Sequence, residues 1–495
     1  MSVLWERLFE SGSGELGRWL DSSSGSQGSS LRVHRLPRPA WPLLAGTVAR
    51  ACLAAGRSLL VLVPAPDRFL SDLRPWLGGR PLSYLFAEVT VNFLDRPPAF
   101  DQAVALRLEA LAALAGRSHD PCLVVSSRRA AMRPTVSAAD LAATSVVLAP
   151  GESLDPVALA GRLVELGYSR EALVELPGQF SLRGGILDVF PAASAAPARA
   201  EWFGDQVETV RLFDPSNQRS VMPVPRVTVR PGREVLLGAQ RGSAAAGRLR
   251  LGAALDGLRG DVRAEWEDDL ERLSEGSSFP GVELYAAYLE PGLPSLFDHV
   301  GEDVVLLDFE PARQLGDVRE LEQETLMLLE AEAGDGELPR GFVAPMVPAR
   351  GLEAPPGAGA RLQAFASEAE GATDLGFGEP EPLVGRPLAL AGLAADAASA
   401  QRTVVLASEQ SVPVEVLPEH LLLAGGIRIH RGEGPLPPDA SLYDIVADFE
   451  RRTIIERLEQ TGWSQTEAAD SLHVPLSTLN QKIKRLNIEV RRKSQ

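Results

Sequence analysis

The chain has 495 residues, of which 45% are hydrophobic and 23% are charged, and its formal net charge is -17 at pH 7. These proportions are those of ordinary globular protein, and the length is sufficient for several domains. The negative charge excludes a surface that binds nucleic acid or an anionic membrane over its whole extent, because attraction to phosphate needs a local excess of cations. Any contact with DNA must therefore be confined to one part of the chain.

The N-terminus and the cysteines both argue against export. Glu6 and Glu10 stand where a signal peptide has basic residues ahead of an apolar run, and no apolar run reaches the roughly 18 residues that span a bilayer. Cys52 and Cys122 lie in apolar settings that are typical of reduced core thiols. We expect a cytoplasmic protein that makes no membrane contact.

Short apolar runs recur from residue 31 onward, after a short amphipathic segment and a linker of small polar residues at 21–30. Each run is bounded by turn formers and separated from the next by Ala- and Leu-rich helical stretches such as 101–115. Buried strands of an α/β layer structure have this pattern. We predict such strands at 58–63, 122–126, 145–149 and 303–309.

The later segments have different sequence patterns. Residues 178–230 alternate strands with tight turns and predict a more β-rich unit, while 316–333 predict an acidic helix. Residues 334–400 are rich in Gly, Ala and Pro, and their pattern assigns no fold. A further α/β piece is predicted near 403–408.

One stretch within the β-rich unit carries a family resemblance. Residues 178–220 read GQFSLRGGILDVFPAASAAPARAEWFGDQVETVRLFDPSNQRS. This stretch closely resembles the interaction domain shared by the excinuclease subunit UvrB and the transcription-repair coupling factor Mfd, a domain whose family role is to bind UvrA. Segments 159–178 and 277–311 resemble the same families, so the resemblance covers about residues 31–330 and follows the N-terminal module of Mfd most closely.

The segment RAEWFGD contains the strongest candidates for partner contacts. Strand alternation places Arg199 and Phe203 on one face and Trp202 on the other, while the Gly184–Gly185 pair allows a strand entry that bulkier residues would crowd. With Trp202 in the core, Phe203 is exposed beside arginines, as in a binding hot spot. From the pattern alone, Phe203 equally fits under a neighbouring loop. The resemblance favours binding, because the family's UvrA contacts fall on Arg183, Arg199 and Phe203.

UvrB is an ATPase, so the resemblance also implies a phosphate loop near residues 43–56. Such a loop needs Gly-Lys-Ser/Thr, whose lysine reaches the β and γ phosphates. The first lysine of the chain is Lys482, so the loop is absent and we expect neither ATP hydrolysis nor a bound cofactor. Asp308 and Glu310 imitate an acidic magnesium motif, but without a phosphate loop we expect them to be surface carboxylates at a strand end.

Other catalytic chemistry has little support in the sequence. The 6 histidines are scattered without metal-ligand spacing, and neither cysteine belongs to a zinc-like pair, so no metal site is expected. A catalytic triad assembled in space stays open as an alternative, since a sequence does not reveal it. The helicase motifs of Mfd do not occur in the sequence, so displacement of RNA polymerase is not expected.

The last sixty or so residues predict three helices. Apolar residues recur at near-helical spacing over 441–459, and Thr461–Gly462 ends that helix. A second helix opens at Ser464, and a tight turn at 473–474 leads to a third. This arrangement resembles the Fis-type helix-turn-helix domain of bacterial enhancer-binding regulators. A small helical dimerisation or docking bundle is the alternative.

The resemblance implies that the third helix enters the major groove of DNA. All lysines of the chain lie in this final segment, which also supplies arginines for phosphate contacts. The candidate base or backbone contacts are Ser477, Thr478, Asn480 and Gln481, and the candidate phosphate contacts are Lys482, Lys484, Arg485, Arg491, Arg492 and Lys493. Where the family often has arginines, this chain has Leu476 and Asn480, which puts sequence-specific recognition in doubt.

These inferences combine into one expected architecture. We predict a multidomain α/β protein with a degenerate, P-loop-type α/β domain that carries an inserted α+β interaction domain, followed by an all-α helix-turn-helix domain. The expected boundaries are 1–30 for the N-terminal helix and linker, 31–150 and 241–333 for the two UvrB-like parts, 151–240 for the interaction domain, 334–435 for an uncertain region and 436–495 for the helix-turn-helix.

The expected function is that of a non-catalytic DNA-repair adaptor. It would bind a UvrA-type protein and double-stranded DNA, and the resemblance also allows a homodimer through the helix-turn-helix. The alternative is a transcription regulator that uses the UvrB-like module as a sensor or partner-binding domain. A nucleotide-dependent helicase is disfavoured because no lysine precedes Lys482.

Overall fold

The computed structural model describes residues 29–375, with gaps at 78–82, 90–91, 97–100, 116–120, 238, 254, 277–278 and 290–291, and the isolated residues 18, 19, 454, 458, 463 and 465. The chain divides into two compact units, Met1–Glu381 and Pro382–Gln495. The predicted α/β piece near 403–408 and nearly all of the predicted helix-turn-helix lie outside the described residues.

The first unit is built from strands and helices in mixed order. The strands are β1 Ser29–His34, β2 Ser58–Leu62, β3 Ser83–Leu85, β4 Leu123–Ser126, β5 Val146–Leu148, β6 Ser169–Arg170, β7 Gln179–Arg183, β8 Ile186–Val189, β9 Ala198–Phe203, β10 Gln206–Phe213, β11 Ser220–Pro223, β12 Val227–Val229, β13 Val304–Phe309, β14 Ala360–Ala364 and β15 Thr373–Asp374. The α-helices are α1 Trp41–Ala54, α2 Pro66–Leu73, α3 Gln102–Leu114, α4 Arg128–Ala131, α5 Ala138–Thr144, α6 Pro156–Glu165, α7 Ala239–Gly252, α8 Gly260–Glu275, α9 Ala286–Leu289 and α10 Pro311–Asp335.

A parallel sheet of seven strands forms the centre of this unit. Its strand order is β15-β1-β14-β13-β2-β4-β3, and every neighbouring pair is parallel. β2, β4 and β13 are buried along their whole length, as parallel strands covered on both faces must be. The predicted buried strands at 58–63, 122–126 and 303–309 are confirmed.

A second sheet, of six strands, is inserted in the chain between β4 and β13. Its order is β11-β10-β9-β8-β7-β6, antiparallel apart from the β6–β7 pair. This confirms the β-rich unit predicted for 178–230. The strand predicted at 145–149 exists as β5, but the prediction that it belongs to the α/β layer is wrong. It pairs antiparallel with β12, and its Val146 and Leu148 join the core under the six-stranded sheet.

The region 334–400 supplies two strands that its composition did not indicate. β14 lies inside the seven-stranded sheet, between β1 and β13, and β15 pairs with the far side of β1. β1 itself begins at Ser29, within the last two residues of the predicted linker. Long-range pairing therefore orders segments whose local pattern is weak.

The helices follow their local signals closely. Asp101 caps α3 by accepting a hydrogen bond from the Ala103 amide, and Asp155 caps α6 through two amides. α10 extends over 25 residues and includes the acidic helix predicted at 316–333. Among the described residues, no helix combines the length and the apolar character needed to cross a bilayer.

Candidate partner-binding face

The β7–β8 and β9–β10 hairpin turns place Arg183 and Phe203 at one end of the six-stranded sheet, whereas Arg199 lies four residues before Phe203 in β9. Gly184 and Gly185 connect β7 to β8, and Gly184 has a φ of 60°, in the left-handed region that glycine adopts without strain. A Cβ on Gly185 would lie 3.3 Å from the backbone oxygen of Trp202. The predicted crowding is therefore confirmed at Gly185, whereas at Gly184, where a Cβ would meet nothing within 4 Å, the left-handed backbone is what favours glycine.

Alternation along β9 separates Trp202 from Phe203 as predicted. Trp202 is half-buried against the core of the interaction unit, and its indole nitrogen donates a hydrogen bond to the Leu154 carbonyl at 2.7 Å. Phe203, the next residue, is 81% exposed. Burying an aromatic ring is strongly favourable, so a ring held in solvent at a hairpin end is a feature of interaction sites.

The two candidate arginines meet on one carboxylate. Arg199 pairs directly with Asp188 across β8 and β9, and it donates to both carboxylate oxygens, at 2.6 Å and 2.9 Å. Arg183 reaches Asp188 from β7 at 2.9 Å. Asp188 itself is only 1% exposed. The structure therefore brings Arg183 and Arg199 together, and it does so through a residue that the sequence analysis did not single out.

The two arginines differ in how far they are enclosed. The Arg199 side chain is 18% exposed; besides Asp188 it contacts the Gln218 carbonyl at 3.2 Å and lies over the Phe213 ring at 4.9 Å. Its hydrogen bonds to Asp188 raise the pKa of Arg199 above its already high usual value, so the residue stays charged. The Arg183 side chain is 53% exposed, which leaves it accessible to a partner.

We call the surface formed by Arg183, Ile186, Asp188, Arg199 and Phe203 the Asp188 face. Ile186 pairs with both Arg183 and Glu201 and is itself exposed, so it adds a second apolar side chain to this face. The sequence did contain a signal for Asp188. It is the charged residue in the run ILDVF, and alternation places it opposite Leu187 and Val189, on the side of the arginines.

At the start of α1, the edge of the seven-stranded sheet where nucleotides bind in α/β proteins is filled by side chains. The carboxyl ends of parallel strands share one edge, which is the usual ligand site. At that edge Trp41, the first residue of α1, stacks on Phe309 with ring centroids 4.8 Å apart, and Phe69 packs on the other side at 5.5 Å. Pro42 follows Trp41 in the helix and has no amide hydrogen to donate to a phosphate.

Asp308 is not a surface carboxylate, contrary to the expectation from sequence. It is 1% exposed and accepts two hydrogen bonds from Arg128, at 2.7 Å and 2.5 Å. The Nε and Nη2 atoms of Arg128 also donate to the carbonyls of Leu352 and Glu353. This bidentate, fully enclosed ion pair seals the strand end, and no oxygen of Asp308 is directed towards solvent.

The Glu310 carboxylate also forms a hydrogen bond within the protein. Its φ of 53° puts it in the left-handed region at the start of α10, and its carboxylate accepts a hydrogen bond from the Ala366 amide at 2.5 Å. The expectation of a free surface carboxylate is therefore wrong here too. Within the described parts of the chain, no group of three or more His, Cys, Asp or Glu residues is arranged to hold a metal ion.

The candidate DNA contacts, from Ser477 to Lys493, lie outside the described residues. Two residues of the predicted first helix are described. Ile454 and Leu458 are both helical and buried, as the apolar spacing over 441–459 predicts. The apolar stripe of that helix is confirmed at these two positions.

Comparison with known families agrees with both resemblances. Residues 146–234 match the UvrB interaction domain, and residues 445–486 match the Fis family of bacterial regulatory proteins. The first match begins at β5 and ends after β12. It therefore contains both the two-stranded and the six-stranded sheet, including the whole Asp188 face.

Similar proteins come from two families. The chain is 36% identical over 241 residues to the transcription-repair-coupling factor of Myxococcus xanthus, covering 47% of this chain and 20% of that protein. It is 31% identical over 188 residues to the factor of Bacillus subtilis, covering 37% of this chain and 16% of that protein. It is 35% identical over 173 residues to the UvrABC system protein B of Acinetobacter baylyi, covering 32% of this chain and 26% of that protein.

The matched segments amount to about a quarter or less of these relatives, so their activities as whole proteins do not transfer to this chain. What is shared is the N-terminal region that contains the interaction domain. The chain thus combines a UvrB interaction domain, within a region homologous to transcription-repair coupling factors and UvrB, with a Fis-type helix-turn-helix domain.

Proposed function

We propose that this protein is a non-catalytic DNA-repair adaptor that binds a UvrA-type protein through the Asp188 face and DNA through its helix-turn-helix. The observation that carries the proposal is the exposure of Phe203 beside Arg183 and Arg199. These are the positions at which the family resemblance implies contacts with UvrA. An exposed ring and a half-exposed guanidinium are also the side chains that most often dominate protein interfaces.

The closed edge of the seven-stranded sheet supports a role without ATP hydrolysis. A phosphate loop needs free amides at a helix N-terminus and a lysine that reaches the phosphates. Here Trp41 and Pro42 occupy the start of α1, Asp308 is committed to Arg128, and no lysine precedes Lys482. We infer a degenerate relative of the P-loop domain that serves as a scaffold for the inserted interaction domain.

The DNA-binding half of the proposal rests on the match to the Fis family and on charge. The chain is acidic overall, yet its lysines are confined to the segment that would form the third helix and the tail of an all-α helix-turn-helix. This arrangement limits attraction for phosphate to one domain. The adaptor would then place a UvrA contact on DNA without acting on the DNA itself.

A titration of the purified full chain with UvrA from the same organism tests the first half. Wild type should bind, and Phe203→Ala should weaken binding by about 2 kcal/mol if the ring is a central hot spot. The matched control is Val157→Ala, which removes another highly exposed apolar side chain, from α6, the helix that packs against the opposite side of the sheet. Equal affinities for wild type and Phe203→Ala would contradict the proposed interface.

Salt-dependent DNA binding by the full chain tests the second half. Log affinity for a duplex should fall linearly with log salt, because phosphate contacts release counterions. Replacing Lys482 and Lys484 with alanine should lower the slope by roughly one for each lost contact. Absence of DNA affinity at low salt would favour the alternative of a helical docking or dimerisation bundle.

The second candidate function is a DNA-binding transcription regulator in which the interaction domain senses another partner. The match to a family of bacterial regulatory proteins favours it. Two measurements on the same preparation separate the candidates. Retained binding to promoter DNA without any affinity for UvrA would support the regulator, whereas binding to both supports the adaptor.

A further inference from the structure

We infer that Asp188 is the positioning residue of the partner-binding face: it holds Arg199 as a brace and presents Arg183 to the partner. The inference rests on the proposed binding of a UvrA-type protein and goes beyond the three contact positions that the resemblance implies. It assigns a buried carboxylate a role in binding and divides the arginines into one that supports and one that contacts.

The register of the sheet brings these groups together. Asp188 lies opposite Ser181 of β7 and Arg199 of β9, so it occupies the middle of three adjacent strands. Arg199 donates to both of its oxygens, and Arg183 donates to Oδ2 from the end of β7. One carboxylate thus pairs with two guanidinium groups, which leaves the cluster with one net positive charge, at a point where the carboxylate has almost no contact with water.

The contacts of the two arginines differ in a way that assigns their roles. Arg199 has all three guanidinium nitrogens engaged, by Asp188 and by the Gln218 carbonyl, and it covers the Phe213 ring. Arg183 is bonded through Nη2 to Asp188, and more than half of its side chain is exposed. Arg183 therefore keeps donors that can reach a partner, while Arg199 fixes the carboxylate.

This arrangement reduces the entropy lost on binding. A free arginine side chain samples many rotamers, and fixing it at an interface is unfavourable. The bond to Asp188 restricts Arg183 before the partner binds. The exposed side chains of Ile186 and Phe203 lie on the same face of the sheet as Arg183. Such a face fits a partner surface with a carboxylate opposite Arg183 and an apolar pocket for the Phe203 ring.

The test uses Asp188→Asn, which keeps the shape of the side chain but removes its charge. In the full chain, affinity for UvrA, measured at a temperature at which the variant is folded, should fall by about tenfold or more. The melting temperature should also fall, because two arginines lose a buried carboxylate. The matched control is Asp214→Asn, because the hydrogen bonds of the Asp214 side chain among the described residues are to Ser216 and Asn217 of its own turn, and its replacement should leave affinity unchanged. If wild type does not bind UvrA, the proposed function fails; if wild type and a folded Asp188→Asn bind equally, only this inference fails.

A double-mutant cycle separates positioning from a merely structural role. Once Arg183 is replaced by alanine, Asp188→Asn should cost a smaller factor in affinity than it does in wild type, because part of its effect acts through Arg183. Additive losses would overturn the inference. If Asp188→Asn does not fold, NMR of the wild-type guanidinium groups decides: rotation of Arg183 and Arg199 should be slower than that of Arg211, an exposed arginine of β10, and equal rates would overturn it.

Discussion

Two arginine–aspartate clusters in the first unit contain the same kind of ion pair but differ in how accessible their donors are. At the carboxyl edge of the seven-stranded sheet, Arg128 and Asp308 form a bidentate pair in which both side chains are almost fully buried. On the six-stranded sheet, Asp188 is equally buried, but Arg183 is 53% exposed. The first cluster has no accessible donor, whereas the second directs one outward.

The difference shows how enclosure decides what a charged cluster can do. A guanidinium whose donors are all satisfied inside the protein contributes to the folded state and offers nothing to a ligand. A guanidinium held by one bond at the surface is oriented yet still available. We therefore expect substitutions at the closed cluster to change stability, and substitutions of the exposed side chains of the Asp188 face, Arg183 and Phe203, to change partner binding.

The largest effect is expected at the closed cluster. Asp308→Ala leaves the Arg128 guanidinium buried without a carboxylate, and removal of one partner of a buried pair costs about 3–5 kcal/mol. Urea unfolding of the full chain measures this loss. A change under about 1 kcal/mol would show that the strand end opens to water, and the contrast between the clusters would then fail.

A double variant provides the control for this prediction. In Arg128→Met with Asp308→Leu, neither charge remains, so most of the stability lost in Asp308→Ala should return. Binding of UvrA should be unaffected in the double variant, because Asp308 lies on β13 and Arg128 begins α4, whereas the Asp188 face lies on the six-stranded sheet.

Adjacent residues of β9 should show the next largest effects, on different properties. Trp202→Ala removes a ring that packs against the core and donates to the Leu154 carbonyl, so we expect a loss of stability of about 2 kcal/mol or more. Phe203→Ala removes a solvated ring, so stability should change by less than about 0.5 kcal/mol. Melting curves of the two variants make the comparison, and similar melting temperatures would show that the two sides of the strand are not distinct.

Alanine substitutions of the two arginines of the Asp188 face should differ less in their effects on stability. Arg199→Ala removes three hydrogen bonds and the contact with Phe213, so we expect stability to fall by about 1–3 kcal/mol. Arg183→Ala removes one hydrogen bond at an exposed position, and its stability should stay within about 0.5 kcal/mol of wild type. Urea unfolding compares them, and a greater loss from Arg183→Ala would reverse the roles assigned to the two residues.

Local patterns predicted much of this structure. The apolar runs identified β2, β4 and β13, and the helical stretches predicted at 101–115 and 316–333 agree with α3 and α10. Alternation in β9 predicted that Trp202 and Phe203 lie on opposite faces, and the family resemblance favoured an exposed Phe203. These features depend on residues close together in the chain, which is why the sequence displays them.

The sequence did not predict which strands and side chains from distant parts of the chain pair with each other. β14 is a short segment in a Gly- and Ala-rich region, and it becomes a central strand only because β1 and β13 pair with it from far along the chain. Asp308 follows an apolar run and resembles any strand-end carboxylate until Arg128 is placed beside it. The role of Asp188 likewise depends on two arginines from neighbouring strands. A single sequence does not state which distant residues meet.

The smallest effect is expected from ATP. If the carboxyl edge of the seven-stranded sheet is closed, Mg-ATP should leave the melting temperature unchanged, because a ligand stabilises a protein only when it binds the folded state. Trp41→Ala provides a sharper case: it empties the space over Phe309 and should lower the melting temperature, yet it supplies neither a lysine nor the amide that Pro42 lacks. ATP should therefore remain without effect on this variant as well. A rise in melting temperature for wild type would show a nucleotide site that Trp41 and Asp308 do not block, and a rise for Trp41→Ala alone would show that the aromatic stack, and not the missing lysine, excludes the nucleotide.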